Sequence, residues 1–583
     1  MSYNQGDPLN RLDSAVSPKA DGTAFPTPAV APKPEEEWTF ERVLECVRPM
    51  GLWQLNLIFW PAVYAFFMSA VSLSVVFFQI TPPHSCDVEG GFPQGSAWAI
   101  RQKLNISSPE TVNFDGSVVR DACRQFDYNF STLSADFEEA YAEVHSQDDL
   151  ASKPCARWNY DRTIDMMETA VTQLDLVCDR RFGVEYSQTA FELGFLIGAL
   201  LGGFLSDRYG RKWPSIVFGI TAALSAIAIS VTSTLWYLIV FRFLNGLLSS
   251  AHLVAVYVFA MEATTSKWRM WVGGMYFIPG ALGYASTGLF AYLLRDWRWL
   301  NFVVSTPSLI IVVLVCLYPE SPRWLLANGR VDEARKLLQQ AARWNGGSLP
   351  ANVDLASIGN RARQEDQATS ETFLQVFKFR RGRPVHPRLV LRALNLFFNW
   401  FVNALVYYGL SLNVGSFAGD RFLNNAISGA IEIPAYILCV PCLYWGRMRS
   451  LVLTLAVAGL SLVVIPWLPS GGEVDWLALC FAMLGKMSIS MSFILVYVLT
   501  AEIYPTVVRN SGLSISSCVG RIGSSLAPYA SSVEKFNPSL RWTPPVLFGV
   551  FSLVAAALAL LLPETKGKKL PEHLGDELAD ESK

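Results

Sequence analysis

The sequence predicts an all-α membrane protein with twelve transmembrane helices in two six-helix halves and a large loop outside the membrane after the first helix. Three observations predict it. Charged residues are only 16% of the 583 and hydrophobic ones 51%, where a soluble chain carries roughly 25% charged residues. The charges gather between apolar runs, about twelve of which reach the roughly 20 residues needed to cross a bilayer core as helix. Finally, landmarks recur along the chain: Glu262 and Glu502, for example, stand 240 residues apart.

Taken in order, residues 1–44 read as a Pro/Ala-rich disordered cytosolic tail and 45–80 as the first transmembrane helix. Its apolar run at 52–80 is too long for a cleavable signal core. Residues 81–186 form an acidic loop. The second to sixth helices occupy 187–318, at 187–206, 213–232, 235–260, 270–293 and 299–318. A cytosolic linker with amphipathic helices spans 319–387. The seventh to twelfth occupy 388–563, at 388–411, 422–446, 450–467, 477–500, 512–531 and 543–562, leaving 564–583 as a cytosolic tail. Loop charge sets the orientation, because basic loops stay in the cytosol. Asp207-Arg208-Tyr209-Gly210-Arg211-Lys212 is short and basic, and the linker carries Arg323, Arg330, Arg335, Lys336 and Arg343. Both termini are therefore expected inside.

The 81–186 loop holds Cys86, Cys123, Cys155 and Cys178, an even set that reads as two disulfides with three possible pairings. Two glycosylation sequons, at Asn105 and Asn129, place the loop on the same outer side.

The two halves share three landmarks. Pro319-Glu320-Ser321-Pro322-Arg323 follows the sixth span and Pro563-Glu564-Thr565 the twelfth; Glu262 precedes Arg269 by seven residues, as Glu502 precedes Arg509; Gly210-Arg211-Lys212 has a partner in Gly446-Arg447-Met448-Arg449, without the acid. Two related halves around a midplane site describe a transporter architecture. Gly203-Phe204-Leu205-Ser206-Asp207-Arg208-Tyr209-Gly210-Arg211-Lys212 resembles the loop signature of the major facilitator superfamily. The cysteine-bearing loop, Arg295-Asp296-Trp297-Arg298, Glu320-Ser321-Pro322-Arg323-Trp324-Leu325 and Ala501-Glu502-Ile503-Tyr504-Pro505-Thr506-Val507-Val508-Arg509-Asn510 narrow the resemblance to its organic cation, carnitine and organic anion transporters, solute carrier family 22. It covers residues 45–570. The resemblance implies a major facilitator fold and a gating set of Asp207, Arg208, Gly210, Arg211, Lys212, Glu262, Arg269, Glu320, Arg323, Glu502, Arg509 and Glu564. Acids and guanidiniums at adjoining helix ends would form a latch that holds the cytosolic side shut; the alternative is a simple positive-inside anchor.

Three ionisable residues fall at similar depth in their spans: Glu432, Lys486 and Arg521. Each costs around 2.5–3.5 kcal/mol in lipid and so needs a partner or a purpose. The resemblance implies that Glu432 pairs with Lys486, leaving Arg521 to face a cavity; the alternative is an Arg521–Glu432 bridge. Ser514, Ser517, Arg521 and Ser525 form a polar stripe, and Asn395, Asn399 and Asn403, followed by Tyr407 and Tyr408, form another. Such ladders line water or join helices. A guanidinium grips a carboxylate bidentately, and the resemblance associates arginine at this position with anion and carnitine carriers. Glu192 could hold a cationic end or reach to the outer surface. Tyr64 could contribute a cation–π contact or simply pack. Arg242 reads as a gating or folding group.

Together these features predict a carrier of small organic cations or zwitterions, carnitine-like betaines or amine conjugates, working as a monomer by alternating access in the plasma membrane. Its expected substrate-binding residues are Arg521, Glu432, Lys486, Asn399, Asn403, Tyr407, Glu192 and Tyr64. Its partners would be the substrate, the lipid and a coupling ion, sodium or proton, if one is used. An organic anion exchanger is the alternative, and a non-transporting receptor or adhesion protein the alternative of another class. Neither metal-spaced ligands nor a nucleotide loop, nucleophile elbow or basic stripe is present, so no enzyme, cofactor, metal or nucleic-acid partner is predicted.

Overall fold

The computed structural model describes residues 38–87, 100–112, 118–134, 136–146, 150–161, 168–275, 277–315, 318–368, 376–377, 379–380, 383–384, 387–416, 419–468, 476–533, 540, 542–568 and 571. Most of the two expected tails lies outside them. The first described element already corrects the N-terminal boundary: helix α1, Phe40–Cys46, is capped by Thr39, so the tail drawn through residue 44 becomes helical at Phe40.

The first half contains α2 (Leu52–Leu73, carried on by Val75–Phe78), α3 (Gly183–Tyr209), α4 (Lys212–Ile229), α5 (Leu235–Glu262), α6 (Phe277–Leu294) and α7 (Trp297–Val315). The second contains α9 (Pro387–Asn413), α10 (Arg421–Ala430), α11 (Glu432–Trp445), α12 (Arg447–Val464), α13 (Trp476–Ile503), α14 (Arg509–Ser531) and α15 (Thr543–Ala559). Between the halves lies the amphipathic α8, Val331–Asn345. Among the described residues, nine helical stretches are both long and apolar enough to cross a membrane. Trp297–Val313 and Thr543–Ala559 are apolar but shorter, and α14 is long but rich in Ser, Gly and Arg. The span expected at 270–293 is covered by the helical stretches Ser266–Met275 and Phe277–Leu294, with Tyr276 outside the described residues. The one expected at 422–446 is α10 and α11 in succession, with Ile431 between them.

Exposure is inverted relative to a soluble protein. Leu200, Phe204, Trp236, Leu293, Ile310, Ile437, Leu460 and Leu561 face outward, while Glu192, Arg242, Asn245, Asn399, Glu432 and Lys486 are buried. That is the arrangement a hydrocarbon solvent selects. Small residues let helices meet backbone to backbone: a Cβ on Gly194, Gly198 or Gly202 of α3 would strike Phe243, Leu247 or Ala251 of α5.

Contacts between the halves gather at one end of the bundle. There Gln79 Nε2 donates to Leu412 O at 2.8 Å, Thr189 Oγ1 to Ser525 O at 2.9 Å and Tyr284 Oη to Ser428 Oγ at 3.0 Å. Phe77 stacks on Phe422 at 5.6 Å. The same end carries a small disulfide-bonded domain of three two-stranded antiparallel ribbons, one with Cys86 opposite Trp158. Cys86 is bonded to Cys155 and Cys123 to Cys178, which selects one of the three pairings. This domain rides on the first half: Trp297 Nε1 donates to Gln173 Oε1 at 3.0 Å and Trp297 N to Glu168 O at 3.2 Å.

At the other end, α8 is bolted to α2. Asn345 Oδ1 accepts from Trp53 N at 2.9 Å, capping the start of α2, while its Nδ2 donates to Val47 O and Gln54 Oε1. The substitution Asn345→Ala removes all three bonds and should destabilise the protein by about 1–3 kcal/mol. Thermal unfolding of the purified chain in detergent should show a lower midpoint; an unchanged one would mean that the cap is dispensable.

Candidate functional site

Helix α3 presents Gln188, Glu192 and Phe195 four and three residues apart, on one face, with Glu192 wholly buried. The nearest cation to Glu192 comes from the opposite half. Arg521 Nη1 of α14 lies 3.2 Å from Glu192 Oε2, and Ser524 Oγ, one turn on, donates to the same oxygen at 2.7 Å. Arg521 also donates to Tyr408 Oη of α9 at 2.9 Å and lies over the Phe195 ring at 4.0 Å. The expectation of an Arg521 left to face a cavity is therefore corrected, and the alternative bridge to Glu432 does not form. Nor does Glu192 reach to the surface: an acid at this level is held by the guanidinium that arrives from the facing helix.

Lys486 of α13 sits 2.9 Å from Glu432, with side-chain exposures of 1% and 2%, so this pair is closed to solute. Ser411 Oγ accepts from Lys486 Nζ at 2.5 Å, the Tyr407 ring lies 3.4 Å from the ammonium, and Tyr436 Oη donates to Glu432 Oε2 at 3.0 Å. Arg521, at 17% side-chain exposure, is less deeply buried than Lys486. The asparagine ladder mostly serves its own helix. Asn399 Nδ2 bonds Asn395 and Asn403 Nδ2 bonds Asn399 O at 2.8 Å, while Asn395 Nδ2 reaches Leu558 O on α15 at 2.6 Å, a helix–helix contact. Tyr64 is buried against His252, ring centroids 4.2 Å apart, in a pocket edge of the first half with Met68 and Phe191. It packs there rather than beside Arg521.

The gating residues form the same device twice. In the first half, Arg211 is bidentate on Glu262, at 2.8 and 3.2 Å, and meets Asp207 at 3.0 Å. Glu320 Oε1 accepts the backbone N–H of Arg211 at 2.7 Å and of Ser321 at 2.9 Å; Ser321 Oγ donates to Glu262 at 2.6 Å. In the second half, Arg447 Nε meets Glu502 at 3.2 Å, Glu564 accepts Arg447 N at 2.8 Å, and Thr565 Oγ1 donates to Glu502. Glycine is required at the turn in both: a Cβ on Gly210 (φ +95) would strike Glu320, and one on Gly446 would lie 2.7 Å from Glu564. Burial raises the Glu564 pKa, but the amides of Lys566, Arg447, Arg449 and Thr565 outweigh it and hold the carboxyl below its ordinary range. Lys212 contributes its backbone N–H to Glu320, Arg208 lies over Tyr209, and Arg269 donates to the Met261 and Thr264 carbonyls at the end of α5. Arg509 donates to Thr506 Oγ1 at 3.1 Å, and Arg323 lies half-buried in the short helix Pro322–Ala327. These ion pairs join adjoining helix ends, and each closes within a half: every acid named comes from the same half as its guanidinium.

Reasoning from sequence missed Gln188, Phe195, Ser411, Tyr436 and Ser524. A signal existed for each, since every one stands three or four residues from a charged or aromatic residue already singled out.

Comparison with known proteins agrees with this geometry. Residues 157–573 match the family described as sugar (and other) transporters. The chain is 34% identical over 517 residues to an organic cation transporter protein of Drosophila melanogaster, covering 86% of this chain and 88% of that one. It is 30% identical over 546 residues to solute carrier family 22 member 2 of Rattus norvegicus, covering 92% and 95%. In fold it is similar to the xylose transporter XylE from E. coli in an inward open conformation, with a TM-score of 0.54 at 14% identity over 89% of this chain and 98% of that one. A mutant of the peptide transporter POT in complex with sulfate also scores 0.54, at 11% identity over 89% and 97%.

Removing one member of a closed buried pair leaves an uncompensated charge, a loss of roughly 3–5 kcal/mol. Lys486→Met should therefore sharply reduce the folded protein recovered in detergent, and adding Glu432→Gln should restore much of it. Equal recovery from the single and double variants would show that the pair is not a stability element.

Proposed function

The chain belongs to the organic cation transporters of solute carrier family 22, within the major facilitator superfamily, and on that premise we propose that it carries small organic zwitterions and cations across the plasma membrane by alternating access. It is a transporter, not an enzyme. The observation that carries the finer reading is the Glu192–Arg521 pair, one charge from each half, at mid-helix and partly reachable. A betaine can replace each member like for like: its carboxylate takes Arg521, bidentately, and its ammonium takes Glu192 beside the Phe195 and Tyr408 rings. The site then stays neutral through the exchange, which neither a bare cation nor a bare anion achieves. Glu432, Lys486 and Tyr407 act as the fixed wall of this site, with Asn399, Asn403 and Tyr64 behind it.

In this reading twelve helices cross the bilayer, the disulfide-bonded domain and the closed end of the bundle face outside, and both termini and α8 face the cytosol. The family name of the relatives favours cations. A second reading, an organic anion exchanger, has its own support: Arg242, Lys486 and Arg521 outnumber Glu192 and Glu432 among the buried midplane charges.

Uptake of labelled betaine, amine and dicarboxylate by expressing cells, with and without sodium, separates the readings. Arg521→Asp should abolish uptake of the carboxylate-bearing solutes, by tenfold or more on the scale of about 1.5–3 kcal/mol for a charged hydrogen bond, while sparing the amine. Unchanged betaine uptake would remove Arg521 from the site. The outer placement of the loop has a separate check. Asn129 is exposed, whereas Asn105 is half-buried beside the buried Ile106 and Ser107. Asn129→Gln should abolish most of the glycosidase-sensitive gel shift and Asn105→Gln little of it; the absence of any shift in the wild type would count against an outer loop.

A further inference from the structure

Glu192 divides its two oxygens between the halves. Oε2 takes Arg521 and Ser524 from α14, whereas Oε1 takes Gln188 Nε2, one turn back on its own helix, at 3.2 Å. The Gln188 amide can do this in one orientation only, with its NH2 toward the carboxylate and its oxygen toward a donor. That donor is Arg242 Nη2 of α5. If the amide were turned over, it would set N–H groups against a guanidinium and an oxygen against a carboxylate, unfavourable at both ends.

Arg242 is an expensive residue to keep there. It is wholly buried, its guanidinium lies 4.8 Å from the Phe191 ring, and its Nε and Nη1 have no hydrogen-bond partner among the described residues. A fork that uses so few of its donors is poor as a structural bridge. The second half shows the same arrangement without the intermediary. Lys486 follows Arg242 by 244 residues and Glu432 follows Glu192 by 240, and those two meet directly at 2.9 Å. Each half thus sets a cation of its fourth span behind an acid of its second or eighth.

We propose that Arg242 is the positioning residue of the cation subsite. Acting through Gln188, it holds Glu192 Oε1 in the first half when Arg521 and Ser524 withdraw from Oε2, so that Oε2 is presented to the cationic end of the solute. In the second half the acid is consumed by direct pairing with Lys486; in the first, the interposed amide leaves one carboxylate oxygen exchangeable. This inference rests on the reading of Glu192 and Arg521 as substrate groups.

The test is initial-rate uptake of labelled tetraethylammonium and of a labelled trimethylammonium betaine by cells expressing the full chain, normalised to surface protein. The variants are Arg242→Met, Arg242→Lys, Gln188→Leu, Glu192→Gln and the Arg242→Met/Glu192→Gln double. Arg242→Met and Gln188→Leu should raise KM for both probes about tenfold, the scale of one charged hydrogen bond, with kcat per surface molecule held within about twofold. Arg242→Lys, which can still donate to the Gln188 oxygen, should recover most of the loss. The double variant should be no worse than Glu192→Gln alone. Multiplicative effects in the double variant, a lysine as damaging as methionine, or a loss explained wholly by surface amount overturns the proposal. Should Arg242→Met fail to reach the surface, Gln188→Leu, which removes no charge, decides the same question. A wild-type chain that carries neither probe overturns the substrate reading and this inference with it, whereas carriage by the wild type with independent variants overturns this inference alone.

Discussion

A charge inside lipid has no solvent to satisfy it, and that one cost arranges the centre of this protein. Among the described residues, Glu192, Arg242, Glu432, Lys486 and Arg521 are charged side chains set well inside long helical stretches. At around 2.5–3.5 kcal/mol each on insertion scales, none is tolerable alone. Two acids cannot neutralise three cations one to one, so the arrangement must share. Lys486 and Glu432 settle their account directly. Arg242 and Arg521 both draw on Glu192, one through an amide and one by contact. Of these two acids Glu192 is the shared one, and it lies where the halves meet.

The charged end of the bundle follows a different rule. There the arginine, the two acids and the hydroxyl recur as Arg211, Glu262, Glu320 and Ser321, then as Arg447, Glu502, Glu564 and Thr565. Repetition of contacts, not merely of residues, means that each half is a self-contained rigid unit whose helix ends are tied by its own charges. A device closed within each half cannot resist separation of the halves. Under the proposed alternating access, it would let each half move as one body, as rocking between two states requires.

Much of this was legible in the sequence because its causes are local or periodic. Apolar runs, basic loops and the 240-residue recurrence follow from what lipid demands of consecutive residues, and the two bundles follow from them. The join at Ile431 was not legible, since both flanking segments stay apolar and only helix geometry separates them. At the site, residue depth brought Glu432, Lys486 and Arg521 to attention, but depth carries no information on rotation about a helix. Rotation decides which acid Arg521 meets, and only the packing of α3 against α14 supplies it. The same limit hid the fact that the Arg211 and Glu262 charges close within a half: sequence lists the charges, while helix adjacency chooses the pairs.

The closed end of the bundle shows where opening must be driven. Among the described residues its contacts include a glutamine to a carbonyl, a threonine to a carbonyl, a tyrosine to a serine, stacked rings between Phe77 and Phe422, Ser532 Oγ donating to the buried Glu185 at 2.6 Å, and Arg295 over the Phe422 ring. Water replaces the neutral hydrogen bonds at small net cost, about 0.5–1.5 kcal/mol apiece, whereas the bond to the buried Glu185 carboxylate holds on the scale of about 1.5–3 kcal/mol. Among the described residues an ionic contact between the halves lies deeper, at Glu192 and Arg521, buried where water is a poor substitute for it. A ligand shifts a conformational balance only by binding one state better than the other. Under the proposed reading, a solute that supplies both a carboxylate and an ammonium at that depth would relieve this contact, and selectivity and gating would reside in the same pair of charges.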